Sequence, residues 1–385
     1  MIPNNINELP TGSKIGILGG GQLGRMLVQA AKTLGYKTII LDPTPLSPAG
    51  QISDHQIIAE YSSTAAAKAM AHMCDVVTYE FENVDLQSVL AISEIVELHP
   101  SPEVLSIARD RNKEKTKLFS LNIPTPKFSA IETLNSLEKV TTELNFPFVL
   151  KTATSGYDGK GQVIVESKKN IVHAFELLHK KNSGLIAEEF IDFECELSVI
   201  CARDKSGNIA TFGPSENIHE NHILDISIVP ARIPEKIKSL AEDIAITIAR
   251  ELKVIGLIAV EMFLTKEGNL LVNELAPRPH NSGHYSIDAC DTSQFSQLIR
   301  ILTGKTLGKT ESFSSAVMVN LLGDIWTQNS CPDWKKVTSE KGSHLHLYGK
   351  ESPRPGRKMG HITVTSEDVV TALDKAIFIR KSLVE

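Results

Sequence analysis

The sequence predicts an α/β protein of more than one domain, and three observations carry that reading. An apolar strand near the start runs into a glycine-rich turn and an amphipathic helix, a second glycine-rich turn lies between two strands, and a late hairpin carries one glutamate on each apolar strand. At 385 residues the chain is too long for one ordinary compact domain, because domains usually hold roughly 100–200 residues. A site enclosed between domains is therefore available to it.

The first element is the strand Lys14-Ile15-Gly16-Ile17-Leu18, followed by Gly19-Gly20-Gly21-Gln22-Leu23-Gly24. Leu23, Met26, Leu27, Ala30, Ala31 and Leu34 then recur at helical spacing, and Gly35 ends the helix. A second strand, Thr38 to Leu41, stops at Asp42, so the segment matches the G-x-G-x-x-G dinucleotide fingerprint with its acidic residue about 20 positions on. The match alone is ambiguous, since glycines also serve tight turns and close packing. Another βα unit through Val76-Val77-Thr78-Tyr79 brings Glu80-Phe81-Glu82-Asn83 to a strand's carboxyl end, where ligands sit in open parallel sheets. Two carboxylates there suit hydroxyls or an amine, or else form a solvated acidic loop.

Ile123-Pro124-Thr125-Pro126 breaks helical continuation and marks a boundary. Beyond it, Phe146 to Lys151 reads as a buried strand ending in one lysine, followed by the loop Gly156-Tyr157-Asp158-Gly159-Lys160-Gly161-Gln162 and the strand Val163-Ile164-Val165. A Walker loop would lead into a helix and end in Gly-Lys-Ser/Thr, so that class is disfavoured. A hairpin flap whose N–H groups cover phosphates while Lys151 neutralises them fits better. The next strand, Leu185 to Ile191, and Glu196 beyond it offer an apolar slot, backbone hydrogen bonds and a ribose carboxylate.

Ile258 to Leu264, the turn Lys266-Glu267-Gly268-Asn269 and Leu270 to Glu274 form the hairpin. Burying Glu261 and Glu274 unpartnered would cost several kcal/mol each. A shared Mg²⁺ satisfies them, because it takes a few carboxylate oxygens and completes its shell with phosphates and water.

A net charge of −6 argues against a general nucleic-acid or membrane-surface binder. Five widely spaced cysteines suit neither a disulfide framework nor a zinc site. No apolar run approaches the roughly 18 residues of a membrane span, and Met1 to Thr11 is polar rather than leader-like. The expected location is cytoplasmic.

The order of lysine strand, glycine flap, Glu188-Glu189-Phe190-Ile191 and the Glu261 and Asn273-Glu274 carboxylates resembles the ATP-grasp superfamily. Gly19 to Met26, Tyr79 to Asn83, Gly156 to Gln162, Pro277-Arg278-Pro279-His280-Asn281-Ser282-Gly283-His284, Asn320 to Gly323 and Tyr348-Gly349-Lys350 narrow it to the 5-(carboxyamino)imidazole ribonucleotide synthase family. The resemblance implies an ATP-grasp fold, α+β overall. A Rossmann-like pre-ATP-grasp domain would occupy residues 1–110, a small flap domain 120–190, and a C-terminal mixed-sheet domain 191–385, which would hold the metal and substrate-phosphate sites.

It also implies the roles. Arg109 and Lys151 would contact the phosphates of ATP under the Gly156–Gln162 loop. Glu188, Glu189, Phe190 and Ile191 would frame adenine, Glu196 would hold the ribose, and His219 would touch the nucleotide, with neighbouring His222 as the alternative. Glu261 and Glu274 would bind Mg²⁺, with Asn273 beside the phosphates. The acceptor, aminoimidazole ribonucleotide, would meet Gln22, Leu23, Glu80, Tyr157, His280, Asn281 and Ser282, and its phosphate would meet Lys350, Arg357 and Lys358. Asp158, Arg278 and Lys350 would face the chemistry. Asp42, with no ribose to bind, is read as structural. Bicarbonate is the implied second substrate, a homodimer the implied assembly, and a separate mutase the implied recipient of the product. A sister ATP-grasp ligase, a non-catalytic nucleotide sensor and, more distantly, a dehydrogenase are the alternatives.

Overall fold

The computed structural model describes residues 8–154, 156, 160–179, 184–326 and 331–383. Three sheets organise them. The first comprises β1 (Lys14–Leu18), β2 (Lys37–Leu41), β3 (His55–Ile57) and β4 (Val76–Tyr79), all parallel in the order β3-β2-β1-β4. The helix Gln22–Thr33 leaves the glycine turn as the periodicity predicts, and it stops at Leu34 before Gly35, whose positive φ of 83° suits glycine.

The second sheet is antiparallel: β5 (Phe128–Ile131), β6 (Phe148–Thr152), β7 (Gln162–Val165) and β8 (Leu185–Glu189), ordered β5-β8-β6-β7. Leu150↔Val163 and Lys151↔Gln162 are cross-strand pairs, so the second glycine loop is a hairpin tip with Lys151 at its base. Phe148, Leu150, Leu185 and Ala187 pack with Leu137 and Ile171 of two covering helices.

The third sheet holds β9 (Phe193–Arg203), β10 (Ile209–Glu220), β11 (Ile223–Val229), β12 (Gly256–Thr265), β13 (Leu270–Ala276), β14 (Ser315–Leu322), β15 (Ser343–Leu347) and β16 (Lys358–Ser366). It is antiparallel in the order β13-β12-β9-β10-β11-β14-β16-β15. The turn Arg203–Asn208 is the hairpin turn its sequence predicts, closed by Asp204 N–H to the Asn208 carbonyl at 3.0 Å. Leu23 and Leu27 of the first helix share one core with Phe295, Leu298 and Ile299 of the helix Gln294–Leu302. Each fully buried leucine there is worth about 2 kcal/mol, so the first sheet's layer is fixed against the third sheet's. Among the described residues, no helix is long and apolar enough to cross a membrane.

Candidate active site

A cleft of about 1160 Å³ opens between the three sheets. Its apolar wall includes Val149, Ile164, Phe190, Ile191, Phe193, Phe263 and Leu275, with Phe193 and Phe263 stacked at 4.8 Å between centroids. Phe190 and Ile191 follow β8 outside any strand, which leaves their backbone available to a flat polar-edged ring. Glu188 lines the cleft too, with its side chain engaged by two lysines. Its buried carboxylate is 2.9 Å from Lys151 Nζ and 3.9 Å from Lys115 Nζ. Burial pushes this carboxyl up, but the two ammonium groups outweigh it and hold it at about 2. Glu196 and His219, the expected ribose and nucleotide contacts, pair with each other on neighbouring strands at the cleft wall. His222 lies 3.5 Å from Gln162 on the same wall.

Opposite the apolar slot, Glu261 and Glu274 are direct cross-strand neighbours. Glu261 is 2.9 Å from His280 Nε2; burial raises its carboxyl, yet His280, His219 and Arg278 hold it at about 2. Desolvation in the cleft and then the Glu261 charge push Glu274 up, as two adjacent anions must without a cation between them. The buried Asn273 Oδ1 has no hydrogen-bond partner within the protein. Two crowded carboxylates and one orphaned amide oxygen form an all-oxygen donor set that fits Mg²⁺.

Arg109 lines the cleft, and so does Arg111, two residues on. Its guanidinium lies 3.7 Å from Glu274 and donates to the carbonyls of Thr152 and Gly156 at 3.3 Å. The sequence reading missed Arg111. Its signal was Asp110, which caps the helix Arg111–Ser120 and aims that helix's first residue inward.

The acceptor side departs from expectation at Glu80. Instead of facing the cleft, its buried carboxylate accepts from the N–H groups of Gly21 and Gly24. A β-carbon on Gly19 would come within 2.3 Å of Glu80 Cγ, so glycine is needed there to admit the side chain. Asp42 accepts from Gly20 N–H at 2.8 Å and from Tyr61 Oη at 2.6 Å, as a structural residue should. Glu82 pairs with Arg278, at the cleft wall. Burial pushes the Glu82 carboxyl up, and Arg278 more than offsets it.

Gln22, Leu23, His280 and Asn281 line the same cleft, and both polar atoms of the buried Asn281 amide lack protein partners. Ser282 lies behind His280, at 2.8 Å from its Nδ1, and supports that ring without lining the cleft. Lys358 lines the cleft; Lys350 and Arg357 stand on the adjoining loop, outside its immediate wall. Lys350 Nζ donates to the Lys358 carbonyl at 2.7 Å, and Arg357 to the Ser352 carbonyl at 2.7 Å. Burial, then Arg357, pushes Lys350 down to about 8, with Lys358 and Arg354 adding to the effect. The cations crowd one another here, with Glu80 the opposing charge on Lys350. Gly156, Lys160 and Gln162 line the cleft from the flap, and Gly161 turns the hairpin at φ 78°. Tyr157, Asp158 and Gly159 lie outside the described residues.

Residues 13–109 match the ribonucleotide synthetase preATP-grasp domain, 116–295 the ATP-grasp domain, and 316–375 the phosphoribosylaminoimidazole carboxylase C-terminal domain. The N5-carboxyaminoimidazole ribonucleotide synthase of Bacillus subtilis is 45% identical over 356 residues, which cover 91% of each chain. The chain belongs to the N5-carboxyaminoimidazole ribonucleotide synthase family. A crystal structure of N5-carboxyaminoimidazole ribonucleotide synthetase bound to ADP superposes with a TM-score of 0.91 at 42% identity, covering 97% of this chain and 98% of that one. The Aspergillus clavatus synthase in complex with ADP and 5-aminoimidazole ribonucleotide gives 0.88 at 31% identity, over 96% and 99% of the chains. The fold is therefore ATP-grasp with a preATP-grasp domain, and the family is one of ATP-dependent ligases.

Proposed function

We propose that the chain carboxylates 5-aminoimidazole ribonucleotide with bicarbonate at the expense of ATP, giving 5-carboxyaminoimidazole ribonucleotide, ADP and phosphate in de novo purine biosynthesis. The observation that carries this reading is one cleft in which an apolar slot, the Glu261 and Glu274 pair and the Gln22 and Asn281 wall meet.

In this reading ATP lies with its base against Phe190, Ile191 and Phe263 and its phosphates beside Lys151, Arg111 and Lys160, beneath the flap. Bound Mg²⁺ would supply charge to the transferring phosphoryl group and so lower its barrier. The γ-phosphoryl passes to a bicarbonate oxygen, giving carboxyphosphate and ADP. The exocyclic amine of the ribonucleotide then takes the carboxyl group, directly or as released CO₂, and phosphate and a proton depart. The Arg278 guanidinium, kept in place by Glu82, is set to hold the anionic carboxyl donor, with His280 also on the cleft wall. Flap closure excludes water, which would hydrolyse the intermediate. The Lys350, Arg357 and Lys358 group receives the ribonucleotide phosphate. Gln51 Nε2 donates to the Gly349 carbonyl at 2.8 Å, which anchors this loop to the first domain beside Arg25.

A cytoplasmic location, a homodimer and transfer of the product to a separate mutase complete the reading; the cysteines among the described residues are free thiols, in keeping with a reducing compartment. The test is ADP release with and without aminoimidazole ribonucleotide, coupled to detection of the carbamate formed from ¹³C-bicarbonate. The expected result is carbamate in step with ADP. Stimulation by glycinamide ribonucleotide instead would assign a sister ligase.

A further inference from the structure

One turn of a helix grips the strand that carries Glu274. Glu261 pairs with Glu274 and Met262 with Val272, so Asn273 is a bulge residue with no partner on β12. A bulge next to a site re-aims the neighbouring side chains, but it leaves a carbonyl unpaired. Lys115, which is fully buried, fills that gap: its Nζ donates to the Asn273 carbonyl at 2.6 Å and to the Val272 carbonyl at 3.1 Å. Its neighbour Glu114, equally buried, accepts from Leu275 N–H at 2.9 Å. The helix Arg111–Ser120 thus holds the backbone on both sides of Glu274, and Glu188, 3.9 Å away, supplies the counter-charge that makes a buried ammonium tolerable.

We propose that Lys115 and Glu114 are positioning residues that fix the Asn273 bulge and so aim Glu274 and Asn273 at the metal. The proposal rests on the ATP-and-magnesium reading of the cleft. The alternative is that the buried pair only stabilises the fold, and metal affinity separates the two. Calorimetric titration of Mn²⁺ into the full chain saturated with ADP is the readout, beside a thermal melt and ADP affinity without metal. In Lys115→Met, Mn²⁺ affinity falls about tenfold or more, as for other residues that orient metal ligands, while metal-free ADP affinity is unchanged. Because Lys115→Met leaves Glu188 and Glu114 short of a cation and risks failing to fold, Lys115→Gln, which keeps a donor without the charge, is measured beside it and shows the same direction. A lowered melting temperature with unchanged Mn²⁺ affinity in the folded variant overturns the proposal alone. Failure of the unsubstituted chain to bind Mn²⁺ with ADP overturns both readings.

Discussion

The two glycine loops of this chain look alike in sequence and stand in different surroundings. At Gly19–Gly24 the protein's own carboxylates, Asp42 and Glu80, occupy the N–H groups of Gly20, Gly21 and Gly24. A dinucleotide pyrophosphate would have to displace a buried glutamate. The second loop joins the paired strands β6 and β7, and Lys151, Arg111 and the Glu261 and Glu274 pair converge on the cleft that Gly156 and Gln162 line. A glycine fingerprint therefore shows where backbone donors can be exposed, and the side chains brought from elsewhere decide whether they meet a ligand.

Glu274→Gln gives the largest effect expected from this contrast. It removes a metal carboxylate while keeping shape, so ATP turnover should fall about 1000-fold or more, with the thermal melt little changed. Near-normal turnover would refute the metal assignment. Arg357→Ala comes next: the apparent KM for the ribonucleotide should rise about 10- to 100-fold with the KM for ATP nearly constant. Equal effects on both would move the phosphate clamp elsewhere.

A third effect follows from Lys350, which burial depresses from 10.5 to about 8. The group is charged below that pH and neutral above it, so kcat/KM for the ribonucleotide should fall as pH rises through about 8. Stability moves the other way: between about 8 and 10.5 the unfolded chain binds the extra proton, so this group's contribution to stability rises with pH. Kinetics and melts across pH 7–10, with Lys350→Ala as control, separate the two slopes; parallel slopes would contradict the assignment. The smallest effect tests the plugged loop. Glu80→Ala strips two N–H groups, one of them buried, of their acceptor and should cost about 1–3 kcal/mol in urea unfolding. NADH fluorescence should show no binding to the unsubstituted chain, and binding would reopen the dehydrogenase alternative.

Much of this was legible in the sequence because it is local. The strand-loop-strand pattern around Gly156 and the two-glutamate hairpin both depend on short-range periodicity, and the hairpin register does bring Glu261 opposite Glu274. What was not legible is long-range or counter to composition. The pairing of Glu82 with Arg278 spans 196 positions. The orientation of Glu80 depends on how one strand end meets a turn 56 residues earlier. The segment Arg111–Ser120 is rich in charged and polar residues, yet Glu114 and Lys115 are buried because the carbonyls and the amide around a bulge need partners. The family resemblance marked Arg109 for the phosphates; Arg111, the first residue of the helix capped by Asp110, lines the cleft as well.

The most direct test of the central claim is a crystal structure of the chain with Mg²⁺ and a non-hydrolysable ATP analogue. The account predicts magnesium ligated by both Glu261 and Glu274, with the triphosphate between them and Lys151 and adenine against Phe190 and Ile191. A nucleotide bound at Gly19–Gly24, or metal found away from those two carboxylates, would contradict it.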